Sequence, residues 1–517
     1  MTAASPVLPT STPSAQGVDA RGVLALVDAL EAGGHDPHSL LLARHGHVVA
    51  RGWWAPYAAE RVQLVYSLSK SFTATAVGLL VDEGRLSLDD RVFDVLPARR
   101  LPGGAEVSER YRRLTLGHCL TMATGHDVDA WPGPVLLASL APSDDGTDPV
   151  LGAILAHEPE HEPGTAWAYN QLATYLAASC VREVTGGSLL DLVRSRVVSV
   201  LDPAGAERVR WHRTATGREL GFSGIHVGTD AILGLAQTYL AGGRWAGGQL
   251  LSADWVAAAT APTGLPNREP DPNPDWTHGY GCSFWGASHG YRGDGAYGQY
   301  ALVLPEQDIA LAITSETVDM QAVLDLVWEH LLPAVDREAD AAADDALATR
   351  MASLTVPTPS STTAGPDEGS WTRSPDSRLP EAYAGVRVER VAAGSAGVPG
   401  HESADVTGGA VSDGRAGTAY RLTLEAHGTT ATVDVGDGHW VDTRLTVGDV
   451  ELVVAASGGW TGDGTFEADL RLVETPHRVQ VRTRPDGTAW LGWHEVPLHG
   501  SDPLALVLPG DRAYLSL

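Results

Sequence analysis

The sequence has few cysteines and no long apolar run. Its three cysteines, Cys119, Cys180 and Cys282, are odd in number and far apart, so they predict neither a disulfide framework nor a zinc site. No segment of about eighteen apolar residues occurs, so no membrane-spanning helix is expected. The first residues lack the basic start and apolar block of a secretory signal. We therefore expect a cytoplasmic protein whose thiols are buried.

Basic residues are also scarce. The chain holds 36 Lys and Arg against 64 Asp and Glu, which gives a formal net charge of −28. Such a charge repels nucleic acid and anionic lipid, so neither is expected as a partner. Apolar residues make up 43% and charged residues 19% of the 517 residues, which is typical of a globular protein. This length is sufficient for two or three domains and a large core.

The composition changes along the chain. Residues 1–22 are rich in Ser, Thr and Pro and predict a disordered tail. Residues 23–350 mix helical and strand-like segments and predict the main domain. Residues 351–378 have the composition of a linker. Residues 379–517 show period-two apolar patterns between Gly-rich turns, which predict a small antiparallel β-barrel or sandwich.

Within the main domain, the patterns predict an α+β fold. Two apolar runs in residues 38–54 flank a Gly turn and indicate a β-hairpin. Residues 300–316 give two more strands around a Pro-Glu-Gln-Asp turn. Helical spacing of apolar residues predicts helices between these strands, among them one with Thr229 as its N-cap. We expect one antiparallel sheet, built from both ends of the domain and flanked by helices, with a helical subdomain.

The stretch SLSK places Ser67 and Lys70 three positions apart, at the start of a predicted helix that Gly84 ends. This spacing puts both side chains on one side of the helix. A serine in the first turn lies near unpaired backbone N–H groups, which stabilise an oxyanion. A lysine activates such a serine only when burial or a nearby cation lowers its pKa. The alternative is that Ser67 or Ser69 is a helix N-cap and Lys70 a solvated charge.

Five segments carry a wider pattern. They are YSLSKSFTATAVGLLVDEGRLSLDDRVFDVLP at 66–97, LTLGHCLTMATGH at 114–126, EPGTAWAYNQLATYLAASCVREVTG at 162–186, and the segments 224–255 and 291–316. In this order they resemble the serine β-lactamase and penicillin-binding-protein superfamily, and within it the class C-like β-lactamase-related hydrolases and esterases. The resemblance covers about residues 25–335 and implies a β-lactamase/transpeptidase-like fold.

The resemblance implies a catalytic role for three residues. Ser67 would be the nucleophile and Lys70 its base or proton relay. Tyr169 would help to deprotonate Ser67 and to protonate the leaving group. A phenol beside an ammonium ionises more readily, so a Tyr–Lys pair is expected to act as a base near neutral pH. The alternative for Tyr169, taken alone, is a packed core aromatic.

Two motifs depart from the family pattern. The second motif commonly reads Tyr-x-Asn, whereas Gln171 stands at its third position here. Gln171 still has an amide to donate to a substrate carbonyl, and Asn170 is the alternative polar group at the site. In the third motif, Arg292 is expected where a Lys or His is common. We expect Arg292 to bind substrate or tune the charge of the site, and the alternative is an ion pair with Asp294.

The third motif also implies part of the oxyanion hole. Gly295, or a close neighbour, would supply one N–H group, and Ser67 would supply the other. The departure from the common third motif favours an esterase or a peptidase over an enzyme that confers true β-lactam resistance. The HEPEH segment at 157–161 has no clear third ligand, so no metal site is expected. The expected reaction needs no metal or organic cofactor.

These expectations combine into a serine hydrolase that cleaves an ester, amide or lactam bond of a small molecule through an acyl-enzyme on Ser67. A D-amino-acid peptidase or a penicillin-binding activity is the alternative within the superfamily. A non-catalytic binding scaffold is the alternative from another class, and the intact Ser67, Lys70 and Tyr169 argue against it. The C-terminal β-domain is expected to border the active-site cleft or to mediate self-association, so a homo-oligomer is one expectation.

Overall fold

A computed structural model gives the structure of the protein and divides the chain into two compact units. One unit comprises residues 1–54 and 58–354, and the other comprises residues 55–57 and 355–517. The residues that the structure describes are 8–103, 105–127, 146–214, 216–265, 271–337, 340–391, 417–426, 429–447, 450–498, 500 and 502–503.

Helices of the described chain all belong to the first unit. They are α1 (Ala20–Ala32), α2 (Ser69–Asp82), α3 (Val92–Val95), α4 (Glu109–Arg113), α5 (Leu116–Leu120), α6 (Pro149–Leu155), α7 (Gln171–Thr185), α8 (Leu189–Val193), α9 (Ser199–Leu201), α10 (Thr229–Leu240), α11 (Ala253–Thr260), α12 (Met320–Leu326) and α13 (Ala341–Ala352). Short 3-10 segments lie at Ser14–Gln16, Tyr66–Leu68, Ala98–Arg100, Ala206–Arg208, Pro274–Trp276, Pro305–Gln307 and Leu332–Ala334. Single π turns, Arg194–Val198 and Val327–Leu331, continue α8 and α12.

Strands occur in both units. Those of the first unit are β1 (Pro37–Arg44), β2 (His47–Trp53), β3 (Gln63–Leu64), β4 (Arg210–Trp211), β5 (Ile225–Val227), β6 (Arg244–Trp245), β7 (Gly248–Gln249), β8 (Trp285–Ala287), β9 (Gly290–Gly295), β10 (Gln299–Leu304) and β11 (Ile309–Ser315). Those of the second unit are β12 (Glu368–Arg373), β13 (Tyr383–Arg390), β14 (Thr418–Ala426), β15 (Thr429–Gly436), β16 (Val441–Val447), β17 (Val450–Trp460), β18 (Phe466–Leu472), β19 (Arg478–Thr483) and β20 (Thr488–Trp493).

The first unit is built on one antiparallel sheet, as predicted. Its six strands lie in the order β2-β1-β11-β10-β9-β8. The first hairpin of the unit therefore pairs with the last strand, and Leu41 lies opposite Ala312. Strands β1, β10 and β11 are buried along their whole length, and α10 packs against all three. The α+β expectation is confirmed.

Helix α2 is buried on all sides rather than on one face. Lys70, Ser71, Thr73 and Thr75 are buried together with its apolar residues. The polar side chains avoid an energetic penalty because each finds a bond; Thr73 Oγ1, for example, donates to the Gly221 carbonyl at 2.8 Å. A helix surrounded in this way has its first turn buried inside the unit.

The second unit is a closed β-barrel. Its strands lie in the order β15-β14-β13-β12-β20-β19-β18-β17-β16, and β15 also pairs with β17, which closes the ring. Alternate residues of these strands fill the interior. The ring centroids of Trp460 and Phe466 lie 5.3 Å apart in this interior, and Trp493 is only 1% exposed. The predicted all-β domain is confirmed as a barrel.

Three local expectations differ from the structure. Residues 8–22 are ordered up to the start of α1, where Asp19 caps the helix by accepting the Arg21 N–H. The segment 351–378 contains β12, which pairs with β13 and β20 and is therefore part of the barrel rather than a free linker. Thr229 is the first residue of α10 and not its N-cap, because its hydroxyl bonds to Ser39 instead.

Among the described residues, no helix combines the length and the apolar character needed to cross a membrane.

Candidate active site

The turn that carries Ser67 has a strained backbone. Ser67 lies in the 3-10 segment Tyr66–Leu68, which leads directly into α2. Tyr66 has a φ of 45°, in the left-handed region that residues other than Gly rarely occupy. The Tyr66 ring packs on the ring of Tyr297 at a centroid distance of 5.2 Å. Strain of this kind concentrates at functional sites, so the backbone itself marks this turn as a candidate.

Of the three serines near the start of α2, only Ser67 is partly exposed. Ser69 Oγ donates to the Tyr66 carbonyl at 2.5 Å and accepts the Ile225 N–H at 3.1 Å. Ser71 Oγ donates to the Ser283 carbonyl at 2.8 Å. No side chain caps the 3-10 segment or α2. The N-cap alternative for Ser67 and Ser69 is therefore wrong.

Lys70 is buried beside Ser67, with 1% of the residue exposed. Its Nζ atom lies 3.2 Å from Ser67 Oγ, 2.7 Å from Gln171 Oε1 and 2.9 Å from the Phe222 carbonyl oxygen. A neutral amine has two N–H groups and one lone pair. When the two N–H groups donate to the amide and carbonyl oxygens, the lone pair is left for the serine hydroxyl. As an ammonium, Lys70 donates to the same oxygen. The geometry therefore suits proton transfer between the two side chains.

The second motif places Gln171 and Asn170 in different environments. Gln171, the first residue of α7, reaches Lys70 through its Oε1 atom. Asn170 is 0% exposed and caps α7 by accepting the Ala173 N–H at 2.9 Å. Its amide also donates to Thr124 Oγ1 at 2.8 Å. Both ends of the Asn170 side chain are thus used inside the fold, and Gln171 is the residue of the pair that faces the site.

Tyr169 lies against Lys70 and is backed by other aromatic rings. Lys70 Nζ is 4.7 Å from the centroid of the Tyr169 ring, a cation–π distance. The Tyr169 ring stacks on Trp285 at 5.6 Å and meets Tyr280 edge-on at 6.0 Å. The Trp167 ring lies next to the rings of Tyr169 and Trp285, at centroid distances of 6.3 and 5.3 Å. Tyr169 is partly exposed, so it is the accessible member of this cluster.

Strand β9 approaches the Ser67 turn through two glycines. A Cβ atom on Gly295 would lie 2.0 Å from the Val65 carbonyl oxygen, and one on Gly293 would lie 2.5 Å from Ser71 Oγ. Only glycine permits this approach. In the described chain, β8 pairs with β9 no further than Arg292, so the backbone from Gly293 to Gly295 forms a sheet edge beside Ser67. This edge is where the sequence predicts the second oxyanion-hole N–H.

Arg292 faces away from Ser67. Side chains alternate along a strand, so Arg292 and Asp294 point to the face opposite Gly293 and Gly295. Arg292 is 0% exposed; its Nε donates to Asp294 Oδ2 at 3.0 Å and its Nη1 to the Gly286 carbonyl at 2.9 Å. The guanidinium also lies 4.2 Å above the Trp276 ring. The expectation that Arg292 stands in the place of the substrate-facing Lys or His is corrected: the alternative, an ion pair with Asp294, is what the structure contains.

Asp294 joins this pair to the rest of the site. Burial raises the pKa of the Asp294 carboxyl, while the charges of Arg292 and Lys70 act in the opposite direction. The Trp285 indole donates a hydrogen bond to it. Asp294 therefore supports the ring on which Tyr169 stacks.

A second sequence signal, besides the spacing from Ser67, points to Lys70. Lys70 is the only lysine among the 517 residues, and the other 35 basic residues are arginine. Arginine stays protonated, so it replaces lysine as a surface charge but not as a base. A single lysine retained in such a chain indicates a chemical requirement for an amine.

The comparison with known families decides the classification. The family model described as "Beta-lactamase" matches residues 25–332, which span the sheet, α2 and β9. This chain belongs to the beta-lactamase family. That family comprises serine hydrolases, so the resemblance to the serine β-lactamase and penicillin-binding-protein superfamily is confirmed. The narrower likeness to class C-like members stays a prediction.

Several solved structures are similar to this chain at low identity. A penicillin-binding protein homolog from Caulobacter crescentus has a TM-score of 0.45 and 19% identity, over 60% of this chain and 97% of that one. A D-stereospecific amidohydrolase from Streptomyces sp. has a TM-score of 0.44 and 20% identity, over 58% and 97%. A beta-lactamase from Mycobacterium bovis has a TM-score of 0.39 and 18% identity, over 59% and 100%. No curated protein matches the chain significantly.

Proposed function

We propose that this beta-lactamase family member is a serine hydrolase that cleaves an ester, amide or lactam bond through an acyl-enzyme on Ser67. The observation that carries the proposal is the contact of 3.2 Å between Lys70 Nζ and Ser67 Oγ, with Lys70 buried and held by two further acceptors. A serine hydroxyl becomes a useful nucleophile only beside such a base. Among the described residues, no other serine near α2 has a base in this position.

In the proposed first step, Ser67 Oγ attacks the carbonyl carbon of the substrate. The hydroxyl proton moves to the Lys70 amine as the new C–O bond forms. The carbonyl oxygen becomes an oxyanion, and the N–H groups of Ser67 and Gly295 would stabilise it at the mouth of α2. The close approach of Gly295 to the Ser67 turn supports this role. A Cβ atom added at Gly295 would lie only 2.0 Å from the Val65 carbonyl oxygen.

In the second half, the bond to the leaving group breaks and the leaving group receives a proton. Tyr169 is the proposed donor, resupplied by the Lys70 ammonium, whose Nζ lies 4.7 Å from the centre of its ring. Water then attacks the acyl-enzyme, its proton passes to the Lys70 amine, and Ser67 leaves as the hydroxyl. The products are a free acid and an alcohol or amine, so no oxidant, metal or cofactor enters the balance.

The test is intact-mass detection of an acyl adduct during turnover of p-nitrophenyl esters, nitrocefin and D-Ala-D-Ala peptides. The wild-type protein should gain the mass of one acyl group with at least one of these substrates, and Ser67→Ala should gain none. Ser71→Ala is the matched control, because Ser71 Oγ is committed to the Ser283 carbonyl. An adduct that persists in folded Ser67→Ala would contradict the proposal.

A further inference from the structure

The face of β9 that approaches Ser67 carries no side chain that could hold a carboxylate. Gly293 and Gly295 occupy that face, and a Cβ atom at either position would collide with the Ser67 turn or with Ser71. A lysine or histidine is therefore excluded there by space as well as by sequence. In an enzyme whose substrate bears a carboxylate beside the scissile bond, a cation on this face would be the expected partner.

Arg292, the cation of β9 itself, is paired on the other face of the strand. Arg292 donates to Asp294 at 3.0 Å and to the Asp275 carbonyl at 2.8 Å, and its Nη2 atom is buried from solvent. The Asp294 carboxylate adds a negative charge within electrostatic range of Lys70. A substrate carboxylate would thus find no uncompensated cation in the Arg292–Asp294 pair, and it would meet the net charge of −28 of the whole chain.

Besides the Gln171 amide, aromatic rings lie around Lys70 and the Ser67 turn. Tyr169 and Phe222 place their rings 4.7 and 5.8 Å from Lys70 Nζ. On the other flank, Tyr66 precedes Ser67 and packs on Tyr297. Of these four residues Tyr169 is partly exposed, and its ring can bind apolar and aromatic groups through burial and stacking. The contacts of the rings with one another hold them in place before a substrate arrives.

We propose that the site accepts uncharged esters or amides with an aromatic or apolar acyl group, and that it discriminates against substrates with a carboxylate beside the scissile bond. Free β-lactams and peptides that end in a D-residue belong to the second class. The inference rests on the proposed Ser67 acyl-enzyme and specifies its substrate. The glycine face of β9, the Arg292–Asp294 pair and the flanking rings together carry it.

A matched pair of esters tests the discrimination. Hippuryl-phenyllactic acid and its amide share the aromatic acyl group and the leaving-group skeleton and differ only in the carboxylate. Each is measured as a substrate, by hippurate release, and as a competitor of Ser67 labelling by a fluorophosphonate. Competition reports binding whether or not turnover follows. The amide is expected to be cleaved, or to protect Ser67, at least about tenfold more effectively than the acid.

A variant links the discrimination to charge. Asp294→Asn removes the negative member of the Arg292–Asp294 pair. It should raise several-fold the effectiveness of the acid relative to the amide, in hippurate release or in protection of Ser67. Asp325→Asn is the matched control, because it removes the same charge from an exposed position on α12 and should leave the ratio unchanged.

The outcomes separate this inference from the proposed function. The inference is overturned if the acid equals or exceeds the amide, or if neither compound slows the labelling of a reactive Ser67. An unchanged ratio in folded Asp294→Asn overturns the electrostatic explanation. A wild-type protein whose Ser67 is never labelled instead overturns the proposed acyl-enzyme itself.

Discussion

Gln171 Oε1 accepts a hydrogen bond of 2.7 Å from Lys70 Nζ. The second motif of the family commonly has Asn at this position, and the longer Gln side chain reaches the lysine from the first turn of α7. The Phe222 carbonyl takes a second N–H at 2.9 Å. These two acceptors together fix the direction in which the amine faces Ser67.

Replacing Gln171 by Leu should therefore lower kcat/KM more than it lowers the free energy of unfolding. A hydrogen bond to a charged group contributes about 1.5–3 kcal/mol, so kcat/KM should fall by about 10- to 100-fold. Gln307→Leu, in the turn between β10 and β11, is the control and should keep the wild-type value. Steady-state kinetics on one p-nitrophenyl ester checks the difference. Equal kinetics for both variants would show that Gln171 does not position Lys70.

Asn170 should behave in the opposite way. Asn170→Ala removes the N-cap of α7, and the loss of a cap costs about 1–2 kcal/mol of unfolding free energy. Because the side chain is buried away from the site, kcat/KM per folded molecule should stay within about twofold of wild type. Ser252→Ala removes the cap of α11 and provides the comparison, measured by urea unfolding. A large kinetic loss at unchanged stability would instead place Asn170 at the substrate.

Gly295 tests the approach of β9 to the nucleophile. A Cβ atom at this position would lie 2.0 Å from the Val65 carbonyl oxygen, so Gly295→Ala must push the strand away from the Ser67 turn. Loss of one oxyanion-hole donor lowers kcat by about 100- to 1,000-fold, and a loss of that order is expected here. Gly187→Ala, where the added atom meets nothing within 4 Å, should have no effect. Similar rates for the two variants would remove the oxyanion role of this strand edge.

The histidine of the LTLGHC segment gives a prediction for pH. His118 Nδ1 accepts the Thr115 N–H at 3.2 Å and so completes the N-terminal cap of α5. Burial lowers the pKa of His118. The unfolded chain therefore binds this proton at a higher pH than the folded protein does, and stability falls as the pH drops below the unfolded pKa of about 6.5.

Urea unfolding between about pH 7.5 and 5.5 measures this effect. His118→Gln retains a side-chain acceptor for the cap but cannot titrate, so the decline in unfolding free energy should be shallower than in wild type. His45→Asn, at the exposed β1–β2 turn, should leave the wild-type decline unchanged. Identical slopes for wild type and His118→Gln would assign the pH dependence to other groups.

Local patterns were sufficient to predict the sheet and helix α2. The β1–β2 hairpin, the strands around Pro305–Gln307 and the helix from Ser69 depend on turn residues and periodicity within a short window. The place of Lys70 beside Ser67 follows in the same way from a spacing of three residues. The order of the segments then identified the family.

The contacts that decide the chemistry join distant parts of the chain and were not predictable. Lys70 bonds to a carbonyl 152 residues away, and β12 finds its parallel partner β20 more than a hundred residues later. The face of β9 that turns toward Ser67 was not predictable either, because a shift of one residue decides whether Arg292 or Gly293 lies on that face. The sequence does not decide between Asn170 and Gln171 either, because one helix position separates a buried cap from a site residue.

The central claim is that the Lys70 amine deprotonates Ser67, and the most direct test is the rate at which a fluorophosphonate labels Ser67 with and without that amine. Lys70→Ala leaves a chain without any lysine, and intact mass spectrometry follows the labelling of the folded variant. General-base catalysis contributes about 100- to 10,000-fold, so Lys70→Ala should label at least about 100-fold more slowly than wild type. Labelling of Lys70→Ala at the wild-type rate would contradict the account.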